Sequence, residues 1–265
     1  MSPDPATPHK RPVFLLHGLG RRAASMAAIA RALDPETTPI LFGYPSLTSS
    51  IETHARRLAE AFASQPPGEI DVVTHSMGAI VLRELLANGP HHWRTGRRIG
   101  HVAMIAPPNQ GAAIARWLPV PPGPGALATL RRLGSATPAP PWTGEARKLT
   151  VIVGAAGCPN GFNPLLPGED DGTVRLAEAL IPDQDRLVMI GPDASWPQKA
   201  RALHSFLPAH PGVIQAVRAA LARPRLATGK DLAADLGRPG PPGAIATTPR
   251  RRTIQPRRNL DGSRR

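Results

Sequence analysis

Cysteine and long apolar runs are both scarce in this sequence. The chain of 265 residues holds one cysteine, Cys158, so no disulfide can form within it. No apolar stretch approaches the roughly 18 residues that a transmembrane helix needs. The first residues also lack the positive start and the apolar run of a secretory signal peptide. These absences predict a cytoplasmic protein with no membrane span.

Charge is spread unevenly along the chain. The net charge is +13, from 32 basic and 19 acidic residues. Residues 223–265 hold 11 of the basic and 3 of the acidic residues, with many Pro and Gly and no aromatic residue. Such a segment buries too little apolar surface to offset the entropy of ordering, so we predict a disordered basic tail over 225–265. Its arginines could attract anionic lipid or nucleic acid, and the alternative is a solvated tail with no dedicated partner.

The rest of the chain can build one folded domain. Hydrophobic residues make up 41% of the sequence, and a chain of this length can bury a sizeable core without a disulfide or a metal. We expect a flexible N-terminus over 1–11 and a domain over 12–224. The Pro- and Gly-rich stretch 118–143 lies between two strand patterns, which predicts an excursion from that domain.

Short apolar runs alternate with helical patterns along the domain. Continuous apolar strands are typical of a buried parallel sheet, so we predict an α/β fold whose mostly parallel sheet is covered by helices on both faces. Ser49 and Glu52, at the spacing of a capping box, predict the start of one helix. The carboxyl ends of parallel strands meet at one edge, where ligands bind. The predicted strands are 12–17, 39–44, 69–75, 99–107, 148–154 and 186–191, and the predicted helices are 23–33, 51–62, 77–87 and 211–222.

A serine stands where one predicted strand becomes a helix. In EIDVVTHSMGAIVLREL, residues 69–85, the spacing of apolar residues changes at Ser76 with almost no loop. Such a turn holds the hydroxyl at the sheet edge and directs the next amide, at the helix N-terminus, to the same point. THSMG therefore resembles the G-x-S-x-G nucleophile elbow of the α/β-hydrolase superfamily, with Thr74 in place of the first Gly. The alternative is an ordinary serine cap at a helix start.

The segment FLLHGLG, residues 14–20, adds to this resemblance. In small lipases and esterases of the superfamily, a strand that ends in His-Gly lies beside the elbow. The resemblance implies that Leu19, after the Gly, donates its backbone amide to an oxyanion hole together with the amide of Met77. It leaves structural roles for two histidines, with His17 holding the loop and His75 packing beside the nucleophile.

The order of nucleophile, acid and base along superfamily chains implies the two remaining catalytic residues. GEDDGTV, residues 168–174, resembles the D-G-x-V segment that carries the acid in many lipases, which makes Asp171 the predicted acid and Asp170 the alternative. LHSFLPAHPGVIQ, which begins at position 203, resembles the closing segment of small bacterial esterases. His204 matches the histidine of that segment and is the predicted base, whereas His210 does not match.

Together these motifs imply a minimal α/β-hydrolase fold that resembles small bacterial lipases and esterases. We expect a serine hydrolase that cleaves carboxylic esters of small molecules or lipids through the triad Ser76, His204 and Asp171, with 118–143 as a lid or pocket wall. No metal and no organic cofactor is implied. Thioesterase, amidase or acyltransferase chemistry on the same fold is an alternative, and a non-catalytic hydrolase-like binding protein is another. Acyl chain length and oligomeric state are left open.

Overall fold

A computed structural model of the chain describes most of the predicted domain. The tail 225–265 and Cys158 lie outside the described residues, as does nearly all of the N-terminal segment 1–11. The described residues are 10–116, 124–134, 140–154, 161–182, 184–191 and 201–223.

Six strands of the described chain form a sheet in the order β2-β1-β3-β4-β5-β6. The strands are β1 (Arg11–Leu16), β2 (Thr37–Phe42), β3 (Gly68–His75), β4 (Arg97–Ile105), β5 (Lys148–Gly154) and β6 (Arg186–Ile190). Every neighbouring pair runs parallel, so the carboxyl ends of all six strands meet at one edge. The predicted α/β fold is confirmed, with small shifts at the ends of the strands.

Helices cover both faces of this sheet. The α-helices of the described chain are α1 (Ala27–Ala32), α2 (Ile51–Ala63), α3 (Met77–Asn88), α4 (Pro124–Gly134), α5 (Leu176–Ala179) and α6 (Pro211–Leu221). Successive side chains of a strand point to opposite faces. Accordingly, Phe14 and Leu16 of β1 pack in an apolar cluster with α2 and α3, whereas Val13 and Leu15 pack in another with α1 and α6. Within the described chain, no helix has both the length and the apolar character needed to cross a bilayer.

The cap of α2 differs by one residue from the predicted capping box. Ser50 is the N-cap, and its hydroxyl accepts a hydrogen bond from the amide of Thr53 at 3.3 Å. Glu52 lies in the first turn. The prediction of Ser49 as the cap is therefore wrong, because two adjacent serines offer the same chemistry, whereas the predicted start of the helix at position 51 is confirmed.

Helix α4 is the main described part of the stretch 118–143, and it packs against the domain. Leu130 and Leu133 are buried in the cluster that includes α2 and α3. Arg132 pairs at 2.7 Å with Glu84, a buried residue of α3. These contacts tie α4 to the helix that follows Ser76. A role of the whole stretch as a lid stays a prediction.

Candidate active site

Ser76 occupies the turn between β3 and α3, at the carboxyl edge of the sheet. Its backbone has φ 53° and ψ −124°, a conformation that L residues rarely adopt and that costs about 1–3 kcal/mol. Hydrogen bonds on both sides sustain it, because the Ser76 amide donates to the carbonyl of Ile105 at 2.9 Å and its carbonyl accepts the amide of Ala79 at 3.0 Å. The hydroxyl makes no capping bond to α3, so Ser76 is not an ordinary serine cap.

The residues two positions before and after Ser76 shape this turn. A Cβ on Gly78 would lie 2.8 Å from the carbonyl oxygen of Leu16 and 3.0 Å from that of His17. Only glycine therefore lets α3 approach β1 this closely. On the other side, Thr74 is fully buried and its hydroxyl has no hydrogen-bond partner among the described residues. Threonine thus fills the place of the elbow's first glycine without a polar contact there.

Three side chains from distant parts of the sequence meet at this turn. The hydroxyl oxygen of Ser76 and Nε2 of His204 lie 2.9 Å apart. Nδ1 of His204 lies 2.7 Å from Oδ2 of Asp171. Because an ionised carboxylate only accepts hydrogen bonds, Nδ1 carries the ring proton and Nε2 can accept the serine proton. The arrangement has the geometry of a nucleophile, a base and an acid that orients the base.

The two adjacent aspartates before α5 have different partners. Oδ1 of Asp171 accepts the amides of Thr173 at 3.0 Å and Val174 at 2.7 Å, which leaves Oδ2 for the histidine. Asp170 instead accepts the amide of Gly172 at 2.6 Å. Burial raises the pKa of Asp170, although its bonds to backbone amides act in the opposite direction. Asp171 is therefore the carboxylate that reaches the histidine, and Asp170 holds the turn together.

The two backbone amides predicted for an oxyanion hole lie at the same edge. Met77 is the first residue of α3 and directly follows Ser76. Gly18, which precedes Leu19, packs so closely on the elbow that an added Cβ would lie 3.0 Å from Cβ of Ser76. Neither the Leu19 amide nor the Met77 amide donates a hydrogen bond within the described part of the chain. Their role as an oxyanion hole stays a prediction.

His17 supports the loop after β1. Its ring stacks on Tyr44 with 4.1 Å between the centroids. Nδ1 of His17 donates to the carbonyl of Gly18 at 2.9 Å, and the Tyr44 hydroxyl donates to the carbonyl of His17. Burial lowers the pKa of His17, so the ring is neutral at neutral pH. These contacts fix the backbone that precedes Leu19.

Two side chains hold the segment that carries His204, and neither contact was predicted. Nε2 of His75 donates to the carbonyl of His204 at 3.0 Å. Burial lowers the pKa of His75 well below its ordinary value, and nearby positive charge acts in the same direction, so this ring is neutral. Arg21, in the loop after β1, donates to the carbonyl of Ser205. Every residue has a carbonyl, so no residue type in the sequence marks either contact.

His210 has a different place from His204. Its side chain accepts the amide of Gly212 at 3.1 Å and so caps the start of α6. Burial lowers its pKa, and the charge of Arg201 acts in the same direction. Of the two late histidines, His204 is therefore the one that the fold brings to the serine hydroxyl.

Two pockets lie at the carboxyl edge of the sheet. One, of about 540 Å³, opens beside His204 and has Phe162 and Phe206 in its walls. The other, of about 460 Å³, lies between the loops that follow β1 and β2 and includes Arg21 and Tyr44. Both volumes lie in the range of small-molecule sites.

Several solved structures share this fold. The phospholipase PlaB from Legionella pneumophila, solved with thio-NAD, superposes with a TM-score of 0.56 at 14% identity, over 84% of this chain and 61% of its own. The type II thioesterase BorB from the borrelidin biosynthetic cluster gives 0.53 at 16% identity, over 82% and 94%. The metagenomic carboxyl esterase MGS0156 gives 0.52 at 17% identity, over 81% and 77%. At these identities the likeness establishes the fold alone, and this chain spans less than two thirds of PlaB.

The N-terminal half of the chain also matches a family known from sequence. A comparison with curated proteins finds no match. Residues 3–142 match the domain of unknown function DUF7379, and this stretch contains Leu19, Ser76 and Met77. The superpositions on solved structures establish the class of fold. The chain belongs to the DUF7379 family and has an α/β-hydrolase fold.

Proposed function

We propose that this protein is a serine hydrolase that cleaves carboxylic esters of small molecules or lipids. The observation that carries the proposal is the continuous pair of hydrogen bonds from Ser76 through His204 to Asp171, at 2.9 and 2.7 Å. The positive φ of Ser76 supports it as well, because strained backbone of this kind clusters at active sites.

The proposed reaction begins when Oγ of Ser76 attacks the carbonyl carbon of the ester and Nε2 of His204 takes the hydroxyl proton. The new oxyanion accepts hydrogen bonds from the amides of Leu19 and Met77, each of which contributes about 2.7–4 kcal/mol at such sites. As the bond to the leaving oxygen breaks, His204 gives that oxygen the proton and the acyl group stays on Ser76. Water then attacks the acyl carbon by the same route and releases the acid. Asp171 holds the tautomer and stabilises the imidazolium.

An oxygen ester is the proposed substrate because the sequence motifs resemble those of lipases and esterases. The names of the similar structures, an esterase, a phospholipase and a thioesterase, support acyl transfer as the class of reaction. Parallel assays with an oxygen ester, a thioester and an amide of one acyl chain distinguish the proposal from its alternatives. Faster turnover of the thioester or the amide would reassign the activity.

The direct test of the nucleophile is Ser76→Ala with p-nitrophenyl butyrate as the substrate. We expect turnover to fall at least about a thousandfold, because an alanine cannot form the acyl-enzyme. Ser64→Ala is the control, since Ser64 is an exposed serine at the end of α2. Circular dichroism shows whether both variants keep the fold. A folded Ser76→Ala protein with unchanged turnover would refute the proposal.

A further inference from the structure

The pocket between the loops after β1 and β2 begins close to the proposed oxyanion hole. Gly20, in its wall, directly follows Leu19. Gly18 packs closely on Ser76, because a Cβ added to Gly18 would lie 3.0 Å from Cβ of the serine. Two residues of chain span at most about 7 Å. The wall of the pocket therefore lies within reach of a short chain attached to Ser76.

The formal charge in the described wall of this pocket is positive. Arg21 and Arg22 both line it, and none of its described residues is acidic. Among the described residues, neither arginine pairs with a carboxylate. Burial lowers the pKa of His17, which also lines the pocket, so this ring adds no charge at neutral pH. Two guanidinium groups therefore give the pocket a positive potential.

Two polar side chains of the pocket, Arg21 and Ser46, are held by hydrogen bonds to the backbone. Arg21 donates to the carbonyl of Ser205, while its Nε is buried and has no acceptor in the described chain. Ser46, also buried, accepts the amide of Gly20 at 3.0 Å through its hydroxyl oxygen. That bond leaves the hydroxyl proton of Ser46 for a ligand.

The route of the proton decides which part of a substrate faces this pocket. His204 must protonate the leaving oxygen, so the alcohol part lies on the side of His204, where Phe162 and Phe206 line the larger pocket. The acyl part then leaves the carbonyl carbon away from His204. The pocket that remains for it is the one whose wall includes Gly20 and Arg21, which directly follow Leu19.

We propose that this pocket binds the far end of the acyl chain and selects acyl groups that end in a carboxylate. The preferred substrates would then be half-esters of dicarboxylic acids, with the free carboxylate held by Arg21, Arg22 and Ser46. Guanidinium groups suit this task because their planar donors match a carboxylate. The inference rests on the proposed ester hydrolysis and specifies its substrate class.

The test compares p-nitrophenyl hexanoate with mono-p-nitrophenyl adipate. The two esters share a six-carbon acyl chain and a leaving group and differ in the terminal carboxylate. We expect kcat/KM of the native protein to be at least about tenfold higher for the adipate, which corresponds to one well-formed charged contact. We also expect this ratio to fall as salt is raised, because salt screens charge on a partly open pocket.

Arg22→Gln is the main variant, because the side chain of Arg22 is exposed and has no hydrogen-bond partner in the described chain. We expect the adipate-to-hexanoate ratio to fall at least about fivefold, and further in the double variant with Arg21→Gln. Arg31→Gln is the matched control, since Arg31 is an exposed arginine of α1 outside the pocket. Its ratio should equal that of the native protein.

The outcomes separate this inference from the proposal on which it rests. Hydrolysis of the hexanoate without a preference for the adipate would overturn the inference and leave ester hydrolysis standing. A preference that both arginine variants keep would overturn the assignment to this pocket. A preference for 4-carboxyphenyl hexanoate over phenyl hexanoate that Arg22→Gln abolishes would move the anion to the alcohol side and also overturn it. No turnover of any ester by folded protein would contradict both proposals.

Discussion

Gly78 is the residue on which the close approach of α3 to β1 depends. A Cβ at this position would lie 2.8 Å from the carbonyl oxygen and 2.9 Å from Cβ of Leu16, both in a buried strand. We expect Gly78→Ala to lower the free energy of unfolding by about 1–3 kcal/mol through overpacking, and to reduce ester turnover because Ser76 is displaced. Gly43→Ala is the control in urea unfolding, since its Cβ would meet only Cβ of Ala23, at 3.6 Å. Equal stability of the two variants would contradict this account.

The two late histidines provide a second prediction at the residue scale. We expect His204→Ala to reduce kcat/KM by at least about a thousandfold, because Ser76 then lacks its base. The His210→Ala protein should lose little activity, although it loses a helix cap and about 1 kcal/mol of stability. Steady-state kinetics of the two purified variants make the comparison. The opposite order of losses would transfer the role of base to His210.

His75 holds the base through the backbone, so we place it as a positioning residue. Without its hydrogen bond to the carbonyl of His204, we expect His75→Phe to reduce kcat roughly tenfold with little change in KM. His75→Gln, whose amide can donate to the same carbonyl, should restore part of kcat. Equal kcat in both variants would show that His75 only fills space. A rise in KM with unchanged kcat would show the same.

The sequence locates some members of the site better than others at this scale. A serine at the junction of two periodicities stands out, so Ser76 is identified with little ambiguity. Asp170 and Asp171 are indistinguishable by type, and only the turn decides which of them faces His204. The contact of Arg21 leaves no trace in residue types, because its acceptor is a backbone carbonyl. The catalytic roles themselves stay predictions.

At the scale of elements, a buried aspartate joins three strands at the amino-terminal part of the sheet. Asp71 of β3 is fully buried, pairs with Arg11 of β1 at 2.6 Å and accepts the amide of His101 of β4 at 2.6 Å. We expect Asp71→Ala to lower the free energy of unfolding by about 3–5 kcal/mol, because partners are left unpaired inside the fold. Arg98→Ala is the control, since 73% of that side chain is exposed and its ion pair lies at the surface; about 1 kcal/mol or less is expected. A small loss in Asp71→Ala would contradict the structural role.

Elements were predicted well where burial imposes a pattern. Strands covered on both faces are continuous apolar runs, and all six predicted strands overlap the strands of the sheet. The predicted helix 23–33 is instead a 3-10 turn, Ala23–Met26, followed by α1. An apolar period does not distinguish a tight first turn from an α-helical one, because side chains repeat similarly in both. The contact between α4 and α3 was not predicted, since its ion pair joins Arg132 to Glu84, far away in the sequence.

At the scale of the whole molecule, buried neutral histidines make stability depend on pH. Burial lowers the pKa of His54 to about 4, and it lowers the pKa values of His17 and His75 as well. Each such group binds more protons in the unfolded state between its folded pKa and about 6.5. Stability is therefore expected to fall as pH falls from about 6.5 towards 4, with a slope of up to about 1.4 kcal/mol per pH unit for each group.

His54→Leu isolates one part of this dependence. His54 is fully buried, and its ring lies 4.7 Å from the ring of Tyr44, centroid to centroid. Removing it should make the loss of stability between pH 6.5 and 4 shallower than in the native protein. Urea unfolding at several pH values measures the slope. An unchanged slope would show that His54 does not contribute to the acid sensitivity.

The class of fold is the prediction that the whole molecule confirms most fully. Alternation of strands and helices in the sequence leaves few topologies open, because crossovers between parallel strands have one hand. The central claim concerns chemistry at the edge of that sheet. Its most direct test is labelling of the folded protein with a fluorophosphonate, followed by peptide mapping by mass spectrometry. We predict a single adduct on Ser76, absent in the His204→Ala protein; folded native protein that stays unlabelled, or that carries the label elsewhere, would contradict the account.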